Sequence, residues 1–200
     1  MLKNLNIRHL RGKNRRAFTL LESIISIAIF TMVGIAEVSL IVMTARIHNE
    51  GFVEMLVFKH ADYIQDRVTG LLQGGSRESG VFFADPDGAF YRRILFRQSM
   101  DSSPQELRFD PNTHKLTYDP DVSIPNNEVT IQYQGAQLAQ LDDVCFRAAM
   151  KIGGIPDNSV LLVQIRVSDH GKGRSSYRDP HNEYNWITSR RHFAVCLRRQ

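Results

Sequence analysis

From Phe18 to Met43 the chain is apolar for 26 residues, interrupted by charge only at Glu22 and Glu37. As a helix this run is about 39 Å long, more than the ~30 Å hydrocarbon core of a bilayer. It can span a membrane. A secretory signal has a shorter apolar stretch followed by a small-residue cleavage site, and no convincing Ala-x-Ala pattern follows this run. Cleavage behind it is not expected.

The charge distribution orients the segment. Six basic residues and no acidic ones lie before it, at Lys3, Arg8, Arg11, Lys13, Arg15 and Arg16. Arg46 follows the run, with Glu50 and Glu54 close behind. The positive-inside rule then puts the N-terminus in the cytoplasm and the large C-terminal part outside. The formal charge of +4 and pI near 9.2 suggest a nucleic-acid partner only until the leader is set aside. Beyond residue 17, 19 basic side chains face 21 acidic ones, a net of −2 that gives no electrostatic case for DNA or RNA.

Glu22 is what hydropathy leaves unexplained, because an ionisable group inside an apolar span costs on the order of a few kcal/mol and asks for a partner. Its surroundings, Arg15-Arg16-Ala17-Phe18-Thr19-Leu20-Leu21-Glu22, resemble the processing site of type IV prepilins: a basic leader, a small residue, then Phe-Thr-Leu-Leu-Glu opening an apolar helix. The resemblance covers about 30 residues. It implies that a prepilin peptidase cuts between Ala17 and Phe18 and that the new amine of Phe18 is methylated. It further implies that the Glu22 carboxylate meets the Phe18 amine of a neighbouring subunit and sets the axial register of a filament. The partners so implied are other pilin or pseudopilin subunits, the peptidase, an inner-membrane assembly platform and membrane lipid. Two departures stand out. Ala17 occupies a position where the family usually has Gly, and no proline precedes Pro86, although many major pilins carry a helix-kinking proline in this region. Glu37 lies about 60° around an ideal helix from Glu22, at a level suited to the outer headgroups.

Past Met43 the helical pattern becomes amphipathic. Val53, Val57, Ala61, Ile64, Val68 and Leu71 recur at steps of three and four, with Lys59, Asp62 and Asp66 opposite. One helix is expected from Phe18 to Gln73, ended at Gly74-Gly75 by a left-handed glycine cap. Gly34 and Gly51 within it are tolerated packing positions or points of flexibility.

After Gly80 the period falls to two. Residues 89–98, 106–109, 115–118, 129–134, 143–150, 160–168 and 192–198 read as strands of an antiparallel sheet. Asp110-Pro111-Asn112-Thr113 predicts a hairpin turn, and Asp85-Pro86-Asp87-Gly88 reads as another turn. Residues 170–185 read as an exposed loop, whose Tyr177, Arg178, His181 and Tyr184, with Trp186 just after it, either line a partner surface or anchor an irregular segment. The expectation is an α+β fold: a long N-terminal helix, membrane-spanning in its first half, packed on a C-terminal antiparallel sheet. Its parts are a leader over 1–17, a membrane and assembly helix over 18–43, and an extracytoplasmic domain over 44–200. Helix and sheet in this order resemble the pilin architecture, and among its members the J-type pseudopilins of type II secretion and the W-like minor pilins.

No catalytic motif is present. Gly171-Lys172 is followed by Gly173 where a phosphate loop needs Ser or Thr, and the seven histidines have no metal-ligand spacing. No enzyme activity, metal or cofactor is expected. Cys145 and Cys196, the only two cysteines, fall in predicted strands of a domain placed in an oxidising compartment, which favours a disulfide; two buried free thiols are the alternative. Two functions stay open: a subunit that polymerises through its N-terminal helix, and an uncleaved single-pass anchor for an extracytoplasmic binding domain.

Overall fold

The computed structural model describes residues 19–76, 81–87, 90–133, 138–150, 154, 156–170 and 186–197. It divides into two compact units, Met1–Ala45 and Arg46–Gln200. Helix α1 runs from Leu20 to Gln73. In the first unit its side chains are largely exposed, with Leu20 at 81% and Phe30 at 77%. This is the one helix, among the described residues, long and apolar enough to cross a membrane. Three of its hydroxyls are satisfied internally. Thr31, Ser39 and Thr44 donate to the carbonyls of Ile27, Ile35 and Leu40 at 2.7, 2.8 and 2.9 Å. Such back-bonding lets polar side chains sit in hydrocarbon without unmet donors.

Within the second unit α1 buries Val53, Val57, His60, Ala61, Ile64, Val68 and Leu72. Lys59, Asp62 and Asp66 are exposed, as the period requires. The last buried position is Leu72, four residues after Val68; Leu71 packs at the margin of the core. The helix does end at Gly74-Gly75, but neither glycine takes a positive φ. The cause is close packing. A Cβ on Gly75 would meet the Leu72 carbonyl at 3.0 Å and the Phe96 ring at 3.3 Å. Ser76 N–H then donates to the Arg97 carbonyl at 2.7 Å and ties the chain to the sheet.

The described residues form eight strands: β1 Val81–Asp87, β2 Phe90–Phe96, β3 Gln105–Asp110, β4 Lys115–Asp119, β5 Val129–Ile131, β6 Gln140–Met150, β7 Pro156–Ser168 and β8 Thr188–Cys196. All pairings are antiparallel. The order is β5-β4-β3-β2-β6-β7-β8, with β1 beside β2. Arg93 to Phe96 pair with β3, whereas Tyr91 pairs with Phe146 of β6. Because β1 takes the other edge of β2 along its length, β3 and β6 share one edge and the sheet forks there. The fold is thus α+β, one long apolar helix and a curled antiparallel sheet.

Strand β1 is not signalled by the sequence, and the turn expected at Asp85-Pro86-Asp87-Gly88 is replaced by strand through Asp87. Asp87 pairs with Phe90, so the strand runs through Asp85, Pro86 and Asp87. Pro86 is tolerated because β1 is an edge strand, where a missing N–H need not break a ladder. The turn over Asp110–Thr113 forms as expected, with Asn112 N–H on Asp110 Oδ1 at 2.9 Å and Thr113 Oγ1 on Asp110 Oδ2 at 2.8 Å. Strand β8 begins at Thr188, four residues before the pattern announced it. Its polar start is paired: Ser189 is buried, and Arg191 lies over the Phe58 ring and donates to Asp62 at 2.8 Å. Phe96, Phe146, Ile64, Leu72 and Ile94 are among the largest fully buried side chains of the core.

Candidate functional site

Glu22 closes the N-terminus of α1. Its Oε2 accepts from Thr19 N–H at 2.9 Å and from Thr19 Oγ1 at 3.1 Å, and Thr19 Oγ1 in turn accepts from Glu22 N–H at 3.2 Å. This is the reciprocal capping box, in which Thr at the N-cap and Glu three residues on satisfy each other's free backbone donors. The Thr-x-x-Glu spacing that makes this box is present in the sequence at Thr19 and Glu22. The cap pins the carboxylate at the first turn, where the helix dipole favours negative charge. Ala17 and Phe18 lie outside the described residues. Glu37 is exposed on the same helix.

The expected disulfide is not formed. Cys145 and Cys196 are both free, the first buried and the second exposed. Cys145 on β6 stands opposite Gln164 of β7, whereas Cys196 on β8 stands opposite Val160. One strand and four residues of offset put the two about 10 Å apart across the strands and about 13 Å along them. A disulfide requires Cα atoms within ~7 Å. The Cys145 thiol donates to Asp143 Oδ2 at 3.1 Å instead. Alkylation of the unreduced native protein should therefore modify Cys196 and spare Cys145, with both labelled on denaturation. Mass spectrometry finding no free thiol in the unreduced, denatured chain would contradict this geometry.

Between α1, the β3–β4 turn and the start of β6 lies a cavity of about 360 Å³, lined by His60, His114, Lys115, Thr130, Gln132 and Gln140 among others. His60 is 3% exposed and sits on the apolar stripe, three residues after Val57 and four before Ile64, a spacing that marks it in the sequence. Its ring hydrogen-bonds the Ala139 backbone, while Nδ1 has no partner. Burial holds the imidazole below its usual range, and the bond to Ala139 opposes this only in part. The sign follows. A group with its folded pKa depressed keeps its stability above the unfolded value of 6.5 and loses it as pH falls through the folded one. Thermal unfolding in detergent should show the native chain losing stability from about pH 6.5 downward, and His60→Leu should remove that step. An unchanged step in the leucine variant would exclude His60 as its source.

Trp186 stacks on His170 with ring centroids 4.2 Å apart, and His170 Nε2 lies 2.6 Å from Asp142 Oδ1. Trp186 is thus an anchor for the chain entering β8. Tyr177, Arg178, His181 and Tyr184 lie outside the described residues. No group of three or more His, Cys, Asp or Glu among the described residues is arranged to hold a metal ion.

A family model for the prokaryotic N-terminal methylation motif matches residues 12–36. No curated protein and no solved structure matches the chain. The matched residues include the Ala17-Phe18 step, the capping box and the first turns of α1. The motif and the long apolar helix support membrane anchoring, a type IV pilin-like structural role and association with other pilin subunits.

Proposed function

We propose that the chain is a minor subunit of a type IV pilus or a type II secretion pseudopilus, of the J-type or W-like kind. The observation that carries this reading is the methylation motif at residues 12–36 running directly into a 54-residue helix with an exposed apolar first half. In this reading a prepilin peptidase removes residues 1–17, the Phe18 amine is methylated, and the subunit waits in the inner membrane with its second unit outside. An assembly platform then lifts it into the filament. The helix packs there against its neighbours, exchanging lipid contacts of residues such as Ile24, Phe30 and Leu40 for protein contacts. Glu22 pairs with the Phe18 amine of an adjacent subunit, so two charges that are costly apart in hydrocarbon neutralise each other. The role is structural and involves no catalysis.

N-terminal mass spectrometry tests the processing step. The expected product starts at methylated Phe18. A chain retaining its first 17 residues would reject the proposal and leave a membrane-anchored binding domain.

A further inference from the structure

The outer face of β6, β7 and β8 carries a groove that the filament reading does not use. On β7 the odd residues Leu161, Val163, Ile165 and Val167 are buried, so the even ones face outward. Register then places three rows across the strands: Arg147, Leu162 and Ala194; Cys145, Gln164 and His192; Asp143, Arg166 and Arg190. A groove of about 300 Å³ opens here, lined by Arg147, Leu162 and Ala194 of the first row, Gln164 and His192 of the second, and Phe90.

Its floor is apolar and its ends are polar. The Arg147 guanidinium lies over the Phe90 ring, 5.4 Å from the centroid, a contact that orients the planar group while leaving its donors unused. Its Nε is buried without a hydrogen-bond partner. The acids of this face are engaged elsewhere. Asp143 takes Arg92 at 3.5 Å and the Cys145 thiol, and Asp142 takes Arg166 and His170. Among the described residues, Arg147 and Arg190 have no acidic partner. A fixed, unpaired guanidinium beside apolar surface matches a carboxylate carried next to an apolar side chain, because the fork of Arg binds both carboxylate oxygens at once.

We infer that this groove docks an acidic polypeptide segment, with a carboxylate on Arg147 and a neighbouring apolar side chain over Leu162 and Ala194. The apolar floor between polar ends suits an extended peptide, and the near-neutral charge of the chain beyond residue 17 disfavours a nucleic-acid backbone. Arg190, at the far side, adds positive potential that steers the acidic partner in.

The test uses the full chain in neutral detergent micelles and a fluorescent peptide, acetyl-Ala-Glu-Leu-Glu-Ala-amide, with acetyl-Ala-Gln-Leu-Gln-Ala-amide as its uncharged counterpart. Anisotropy should report binding of the acidic peptide alone, weakened by salt. Arg147→Gln should reduce the affinity about tenfold or more, and Arg108→Gln, whose side chain pairs with Glu128 on β3's side of the fork, should leave it unchanged. Ala194→Glu, at an exposed position that tolerates substitution, should also block binding by placing a like charge in the groove. Equal binding of both peptides, full affinity in Arg147→Gln or in Ala194→Glu, or no binding of the acidic peptide at millimolar concentration would overturn the proposal. So would equal competition by short-chain phosphatidylglycerol, which would assign the groove to a lipid headgroup.

Discussion

Replacing Glu22 with Ala or with Gln is expected to leave cleavage and membrane insertion normal and to lower incorporation into the filament by about tenfold or more, since loss of even 1.4 kcal/mol at this contact has that effect. The two substitutions separate the two things the carboxylate does. Gln retains an acceptor for Thr19 N–H and Oγ1, so the capping box at 2.9 and 3.1 Å survives in outline. Ala removes it, at a cost of about 1 kcal/mol to the helix terminus. Both Thr19 and Glu22 lie on the retained side of a cut at Ala17-Phe18, so the cap belongs equally to precursor and mature chain. If charge neutralisation with a neighbour's amine drives assembly, both variants fail. Should Gln incorporate at the native level while Ala fails, the helix cap is the requirement and the intersubunit pair is not. Native incorporation of both would remove Glu22 from assembly altogether. Separate measurements of the processed N-terminus, membrane partition and filament content distinguish these outcomes.

Much of this architecture was legible because its signals are local. An apolar run of 26 residues and a stripe at Val53, Val57, Ala61, Ile64 and Val68 are periodic features that survive without tertiary knowledge. Asp110-Pro111-Asn112-Thr113 makes its own hydrogen bonds, and the turn was therefore readable. Strand β1 was not readable, because a proline between two aspartates marks a turn in most contexts and an edge strand in few. The early start of β8 was hidden by Arg190 and Arg191, which are tolerated there because β7 supplies nine successive pairing partners, Ser168 to Val160. The disulfide expectation failed for a related reason. Cysteine count and compartment say nothing about register, and register alone puts Cys145 and Cys196 four residues out of step on either side of β7. The groove beside Arg147 has no sequence signature, since its rows are drawn from three strands separated by up to 47 positions, as with Arg147 against Ala194 and Cys145 against His192.

Removing the helix entirely is expected to have the second large effect. A chain starting at Arg46 should be folded and monomeric, because Arg46–Gln200 is a compact unit that keeps the whole buried stripe. A chain starting at Ser76 should aggregate. It lacks Val53, Val57, Ala61, Ile64, Val68 and Leu72, each fully buried, and it uncovers the core side chains they touch. Burial of each Val, Ile or Leu contributes about 1.5 to 3 kcal/mol. Five such residues together match the whole ~5 to 15 kcal/mol by which a domain of this kind is stable. The sheet cannot absorb that loss, and the apolar face left behind exceeds what a monomer keeps in water. Size-exclusion chromatography and near-ultraviolet circular dichroism compare the two chains directly. A monomeric Ser76 chain with native near-ultraviolet signal would mean that the sheet folds without α1, and the helix would then be an appendage to the core.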